Sequence, residues 1–139
     1  MNRIQQNIAK ISVVVLVTVL SAFTYQTDIF DSVATAIRAN NAKDVASYFN
    51  SSIDFSVEGR EGVYSKTQAE MILKNFFTQH PCTKFDITHR AKSYGGSSFA
   101  IGSYTSASGT YRITVYVKEI SGKSLIHEMK IEGKIESGE

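Results

Sequence analysis

The 139-residue chain is short of the residues that usually advertise chemistry: it has one cysteine, one proline and three histidines. A single cysteine excludes an internal disulfide, and Cys82 does not follow a hydrophobic segment, where a lipid-modified cysteine would stand. Beside Pro81 it reads as an inert thiol rather than a nucleophile. The histidines and the cysteine show no ligand spacing, so neither a metal site nor a cofactor is expected. Gly95-Gly96 and Gly109 are turn glycines rather than a phosphate-cradling loop, and Ser97-Ser98 lack the surroundings of a nucleophile elbow. Repeats and low-complexity segments are missing too, and the length allows one domain.

An excess of charge of one sign is also missing once the N-terminus is set apart. Met1 to Lys10 carries Arg3, Lys10 and no acid; Ile11 to Leu20 is apolar except for Ser12 and Thr18; Ser21-Ala22 supplies small residues for cleavage. That is the layout of a secretory signal peptide. Ile11 to Tyr25 offers 15 mostly apolar residues, short of the roughly 20 that span a bilayer. Residues 1–22 are therefore expected to be a cleaved signal and not a stable membrane anchor. The domain, residues 23–133, is then expected in the periplasm or outside the cell, with a polar tail at 134–139. Of 15 basic residues Arg3 and Lys10 leave with the signal, so 13 face 13 acids. A neutral domain has no electrostatic footprint for nucleic acid or anionic lipid.

What the sequence does contain is patterned apolar side chains. Ser65 and Gln68 form a capping box, and Ala69, Ile72, Leu73, Phe76 and Phe77 share one face of a helix that Pro81 must end. Upstream, Thr27 or Asp28 caps a helix with Ile29, Phe30, Val33, Ala36 and Ile37 on one side. Asn41 caps a second, shorter one with Asp44 in its first turn and Val45, Ala46 and Phe49 as its apolar side. Ile53, Phe55 and Val57 alternate as a strand, and Val63-Tyr64 suits a short return strand. After Pro81 come four alternating segments: Phe85 to Ala91, Phe99 to Tyr104, Tyr111 to Lys118 and Leu125 to Glu132. The order is helix, helix, strand, helix, then a four-strand meander. It predicts an α+β cone, with three helices packed on a strongly curved antiparallel sheet and a cavity where the two layers part.

Several phrases carry a resemblance. Ala36-Ile37-Arg38-Ala39-Asn40-Asn41-Ala42 with Tyr48-Phe49, then Tyr64-Ser65-Lys66-Thr67-Gln68-Ala69-Glu70 running into Asn75-Phe76-Phe77, are joined by Phe85 with His89, Ala100-Ile101-Gly102 and Gly109-Thr110-Tyr111-Arg112. Together they resemble the nuclear transport factor 2-like superfamily, the cystatin-like cone fold, and within it a family of small secreted bacterial domains of unknown function. The resemblance implies the fold over nearly all of the domain. It implies no single activity, because that superfamily includes isomerase- and dehydratase-like enzymes, ligand carriers and dimerisation modules.

The expected ligand-binding residues are Tyr48, His89, Tyr104, Tyr111 and His127. His89 falls in step with Phe85 and Ile87, and His127 with Leu125, Met129 and Ile131, so both imidazoles are expected to point into the cone beside Tyr104 and Tyr111. The leading reading is an exported module whose internal cavity takes a small apolar ligand or a partner's side chain. The alternatives are an isomerase- or lyase-like enzyme with one of those histidines as base, and a scaffold that forms a homodimer through its sheet. No catalytic residue is assigned, because Asp54, Glu58, Asp86, Glu128 and Glu132 all take the outward phase. Arg90, Arg112, Thr88, Thr114 and Tyr116 are expected on the outer sheet face.

Overall fold

The computed structural model describes residues 27–92 and 95–133; the expected signal at 1–22 and the tail at 134–139 lie outside the described residues. Helix α1 spans Ile29–Arg38, with the Asp28 carboxylate accepting from the Phe30 N–H at 3.2 Å, and it buries Phe30, Val33, Ala34, Ala36 and Ile37. Asn40, in the left-handed region at φ 54°, turns the chain out of α1. Helix α2, Ala42–Ser47, starts on the Asn41 side chain, which accepts from the Asp44 N–H at 3.1 Å. Helix α3, Lys66–Gln79, opens with the capping box of Ser65 and Gln68 and closes at His80, ahead of Pro81. Its buried side chains are Ala69, Leu73, Phe76 and Phe77. Burying a Leu or Phe of this kind contributes about 1.5–3 kcal/mol.

The strands are β1 Phe49–Val57, β2 Arg60–Ser65, β3 Lys84–Lys92, β4 Ser97–Ser106, β5 Gly109–Ile120 and β6 Lys123–Glu132. They form one open sheet in the order β2-β1-β6-β5-β4-β3. The architecture is the expected α+β cone, with two corrections. The sheet is mixed rather than antiparallel, because β1 returns after the first two helices to run parallel to β6. Strand β1 also starts at Phe49, which the periodicity assigns to α2. The Phe49 ring is 2 % exposed and lies 6.2 Å from that of Phe55, so burial at the sheet outweighs the helical spacing.

Two one-residue bulges decide which side chains face the helices. On β3 the pairing runs Ile87 to Gly102 and then His89 to Ile101, leaving Thr88 extra. On β6 it runs Tyr116 to Glu128 and then Val117 to Ile126, leaving His127 extra. An extra residue reverses the faces of everything beyond it. On β3 the reversal sends His89 outward and brings Arg90 to the helix side, opposite buried Ala100. Its guanidinium reaches Asp28 at 2.8 Å and also Asp31, at the start of α1. At the far end of α1, Arg38 Nε donates to the Phe85 carbonyl at 2.7 Å. One arginine at each end of α1 thus ties it to β3.

Two predictions test this arrangement. A Cβ on Gly102 would overlap the buried Phe85 ring, which lies across that strand. Gly102→Ala should therefore cost about 1–3 kcal/mol in urea denaturation, with partial recovery on adding Phe85→Leu; an unchanged midpoint would mean that the ring moves freely. The second concerns Asp31, whose carboxyl is held below the usual range chiefly by its hydrogen bond from Arg90. Its folded value lies below its unfolded one, so the stabilisation is present at neutral pH and is lost as pH falls through the folded value. Asp31→Asn should therefore destabilise the protein at pH 7, and the gap from the native chain should close in acid.

Candidate functional site

The space enclosed between α1 and the sheet is filled. Val33, Ile37, Phe85, Ile113 and Val115 leave only about 10 Å³ there, no more than one water needs. The expected internal cavity is corrected accordingly: between α1 and the sheet the cone is packed with its own side chains, and the larger recesses described lie at its ends.

Tyr104 and Tyr111 do face the helices and come together at the C-terminal end of α3. The Tyr104 hydroxyl donates to the His80 carbonyl, and burial pushes its pKa up. The Tyr111 hydroxyl lies 3.1 Å from His80 Nδ1 and 3.3 Å from Ser108 Oγ. Ser108 Oγ is 2.6 Å from the same nitrogen and 2.7 Å from Ser106 Oγ. Phe76 packs under this cluster, with its ring edge-on to Tyr111 at 5.2 Å and 5.1 Å from His80. Sequence reasoning treats His80 only as the helix stop. The missed signal is that Pro81 forces His80 out of helical geometry (φ −131°) and turns its ring toward the inward residues of the β4–β5 hairpin. No carboxylate hydrogen-bonds to the imidazole among the described residues, so the cluster has a hydroxyl network but no acid–base relay. Nor, among the described residues, do three or more His, Cys, Asp or Glu gather closely enough to hold a metal. Burial raises the Cys82 pKa, which suits an unreactive thiol.

Beside this cluster an open cleft of about 730 Å³ separates α3 from the β1–β2 hairpin. Phe55 and Phe76 form its floor, and half-buried Val57, Tyr64 and Ile72 its walls. Glu58, Arg60, Asn75 and Gln79 ring the mouth. Gly62 makes one wall possible: a Cβ there would meet the Tyr64 ring at 3.1 Å, so glycine lets that ring lie along β2. Such a volume, apolar below and polar at the rim, suits a small ligand or a single large side chain.

The other expected site residues lie elsewhere. Tyr48 lines a separate groove at the opposite end, by the start of α1. His89 and His127 are corrected from inward to outward. His89 is exposed, and half-buried His127 sits at the bulge beside inward-facing Ile126, which is 0 % exposed. Desolvation, with Lys118 nearby, pushes His127 below the ordinary imidazole value. The two histidines end a ladder of rings across the outer face: His89 to Phe99 at 5.9 Å, Phe99 to Tyr116 at 5.7 Å, Tyr116 to His127 at 6.3 Å. Arg112, Thr114 and Tyr116 share that face as expected, whereas Arg90 does not.

Solved structures share this fold. A Bacteroides ovatus protein is 26% identical, with 76% of this chain and 94% of that chain covered and a TM-score of 0.71. One from Bacteroides fragilis is 27% identical over 77% of this chain and 100% of that chain, TM-score 0.72. A Nostoc punctiforme domain described as cystatin-like shares the fold alone, at 13% identity, with 78% and 74% covered and a TM-score of 0.62. No curated protein matches the sequence. Both Bacteroides structures are described as DUF4783 family proteins, and the model of that domain of unknown function matches residues 30–132; the chain belongs to the DUF4783 family.

Proposed function

We propose that this domain is an exported binding module that takes the apolar body of a ligand, or a partner's side chain, in the cleft between α3 and the β1–β2 hairpin. The observation that carries it is the pairing of a packed interior with an open cleft whose aromatic floor adjoins the Tyr111–His80 cluster. A ligand seated there would put its polar end against Arg60, Asn75 or Gln79. An enzymatic reading finds less support, since both expected bases look outward and His80 hydrogen-bonds to hydroxyls alone. Export is supported by the charged, apolar and small-residue order of residues 1–22. With indole and phenylacetate as probes, amide resonances of Tyr64, Ile72 and Gln79 should shift saturably, and Ile72→Trp, which fills the cleft, should weaken this at least about tenfold. Shifts that are absent, or that survive the tryptophan unchanged, would sink the proposal.

A second reading rests on the outer face. Four rings in a row across β3 to β6, with Lys130 Nζ 5.8 Å from the Tyr116 ring centroid, are a large aromatic surface for a solvated sheet. Aromatic rings of this kind are enriched at protein interfaces. They support a homodimer through that face. The native chain should then sediment as a dimer and Phe99→Asp as a folded monomer; a native monomer at millimolar concentration ends this reading.

A further inference from the structure

We infer that the groove at the N-terminal end of α1 is a second binding site, built for a short saccharide. It is the largest recess described, about 1020 Å³, and side chains from α1, α2, β3, β4, β5 and β6 converge on it. Its lining is rich in hydroxyls: Thr27, Ser32, Tyr48, Ser97, Ser98 and Ser124. Serine and threonine at caps and turns ordinarily bond back to nearby backbone. Thr35 Oγ1 donates in this way to the Asp31 carbonyl and Thr78 Oγ1 to that of Lys74, and in the groove itself Ser47 Oγ donates to the Asp44 carbonyl. The other six hydroxyls of the groove make no such bond among the described residues, so turn and cap chemistry accounts for Ser47 alone. Each remains able to donate and to accept at once.

That two-way capacity is what a sugar hydroxyl demands of its partner. Lys92 and Lys123 add donors and Glu119 an acceptor, and none of the three is in an ion pair among the described residues. The second acid in the groove, Asp28, is held by Arg90. With Arg90 and its other partner Asp31 counted in, three cations face three acids around the groove, and the absence of net charge disfavours a polyanion. Half-buried Ile29, Tyr48 and Leu125 supply an apolar strip for the C–H face of a pyranose ring. The recess has volume enough for two or three rings.

The test is a titration of the full chain with maltotriose, cellotriose and chitotriose, and with a capped trialanine for comparison, followed by amide resonances. Saturable shifts at Ser32, Tyr48, Ser98 and Ser124 with at least one sugar are expected. The double variant Ser98→Ala/Ser124→Ala should weaken that binding about 5- to 50-fold, the cost of two lost hydrogen bonds, with an unchanged unfolding midpoint. Ile72→Trp at the other end should leave it untouched, which separates this site from the cleft. No shift with any of the three sugars, equal binding by the double variant, or binding of the peptide alone would each overturn the assignment.

Discussion

A pleated strand shows alternate residues to alternate faces, and one extra residue reverses the assignment beyond it. In this protein two such residues, Thr88 on β3 and His127 on β6, govern what the helices meet. Past Thr88 the helix side receives Arg90, and the start of α1 acquires its tie to the sheet. Around His127 the helix side receives Ile126, Met129 and Ile131, all 0 % exposed. The same two residues move imidazoles to the outer face, where they complete the aromatic ladder with Phe99 and Tyr116. Core closure, helix anchoring and the composition of the outer face are thus consequences of one local irregularity used twice.

The packed interior then determines where binding can occur. Phe85 lies across Gly102, and α1 presses Val33 and Ile37 into the space that remains. A cone filled in this way has no room for an enclosed ligand, so its recesses lie where the layers diverge. At one end α3 leaves the β1–β2 hairpin, and Val57, Tyr64 and Ile72 stay partly uncovered over a buried aromatic floor. At the other, the start of α1 faces strand ends and turns, and the lining is short, polar and hydroxyl-rich. The two ends differ chemically because helix α3 brings Ile72 and Phe76 to one, while turn-forming segments bring serines to the other.

The cone is shared with proteins as distant as 13% identity, so the fold by itself carries no activity. Beyond the fold, this chain carries a hydroxyl cluster about His80. The hydroxyls of Ser106, Ser108 and Tyr111 and the His80 ring nitrogen hydrogen-bond to one another there, while the Tyr104 hydroxyl donates to the His80 carbonyl. The end of α3 is thus held at the sheet with every buried polar side-chain atom paired among the described residues. The cluster ties the C-terminal end of α3 to the β4–β5 hairpin beside the cleft.

Local signals in the sequence determine much of this molecule. Ser65 with Gln68, Asp28, Asn41 and Pro81 mark three helices, and strict alternation marks the strands, because caps and periodicity act over a few residues. The inward placement of Tyr104 and Tyr111 follows from the same alternation. The bulges at Thr88 and His127 are not legible there, since an extra residue is defined only against the partner strand that pairs around it. The parallel pairing of β1 with β6, the filled interior and the gathering of Tyr111, Ser108 and His80 likewise depend on segments far apart in the chain. Tertiary structure alone decided these, because each is a relation between surfaces that meet only when the sheet and helices close on one another.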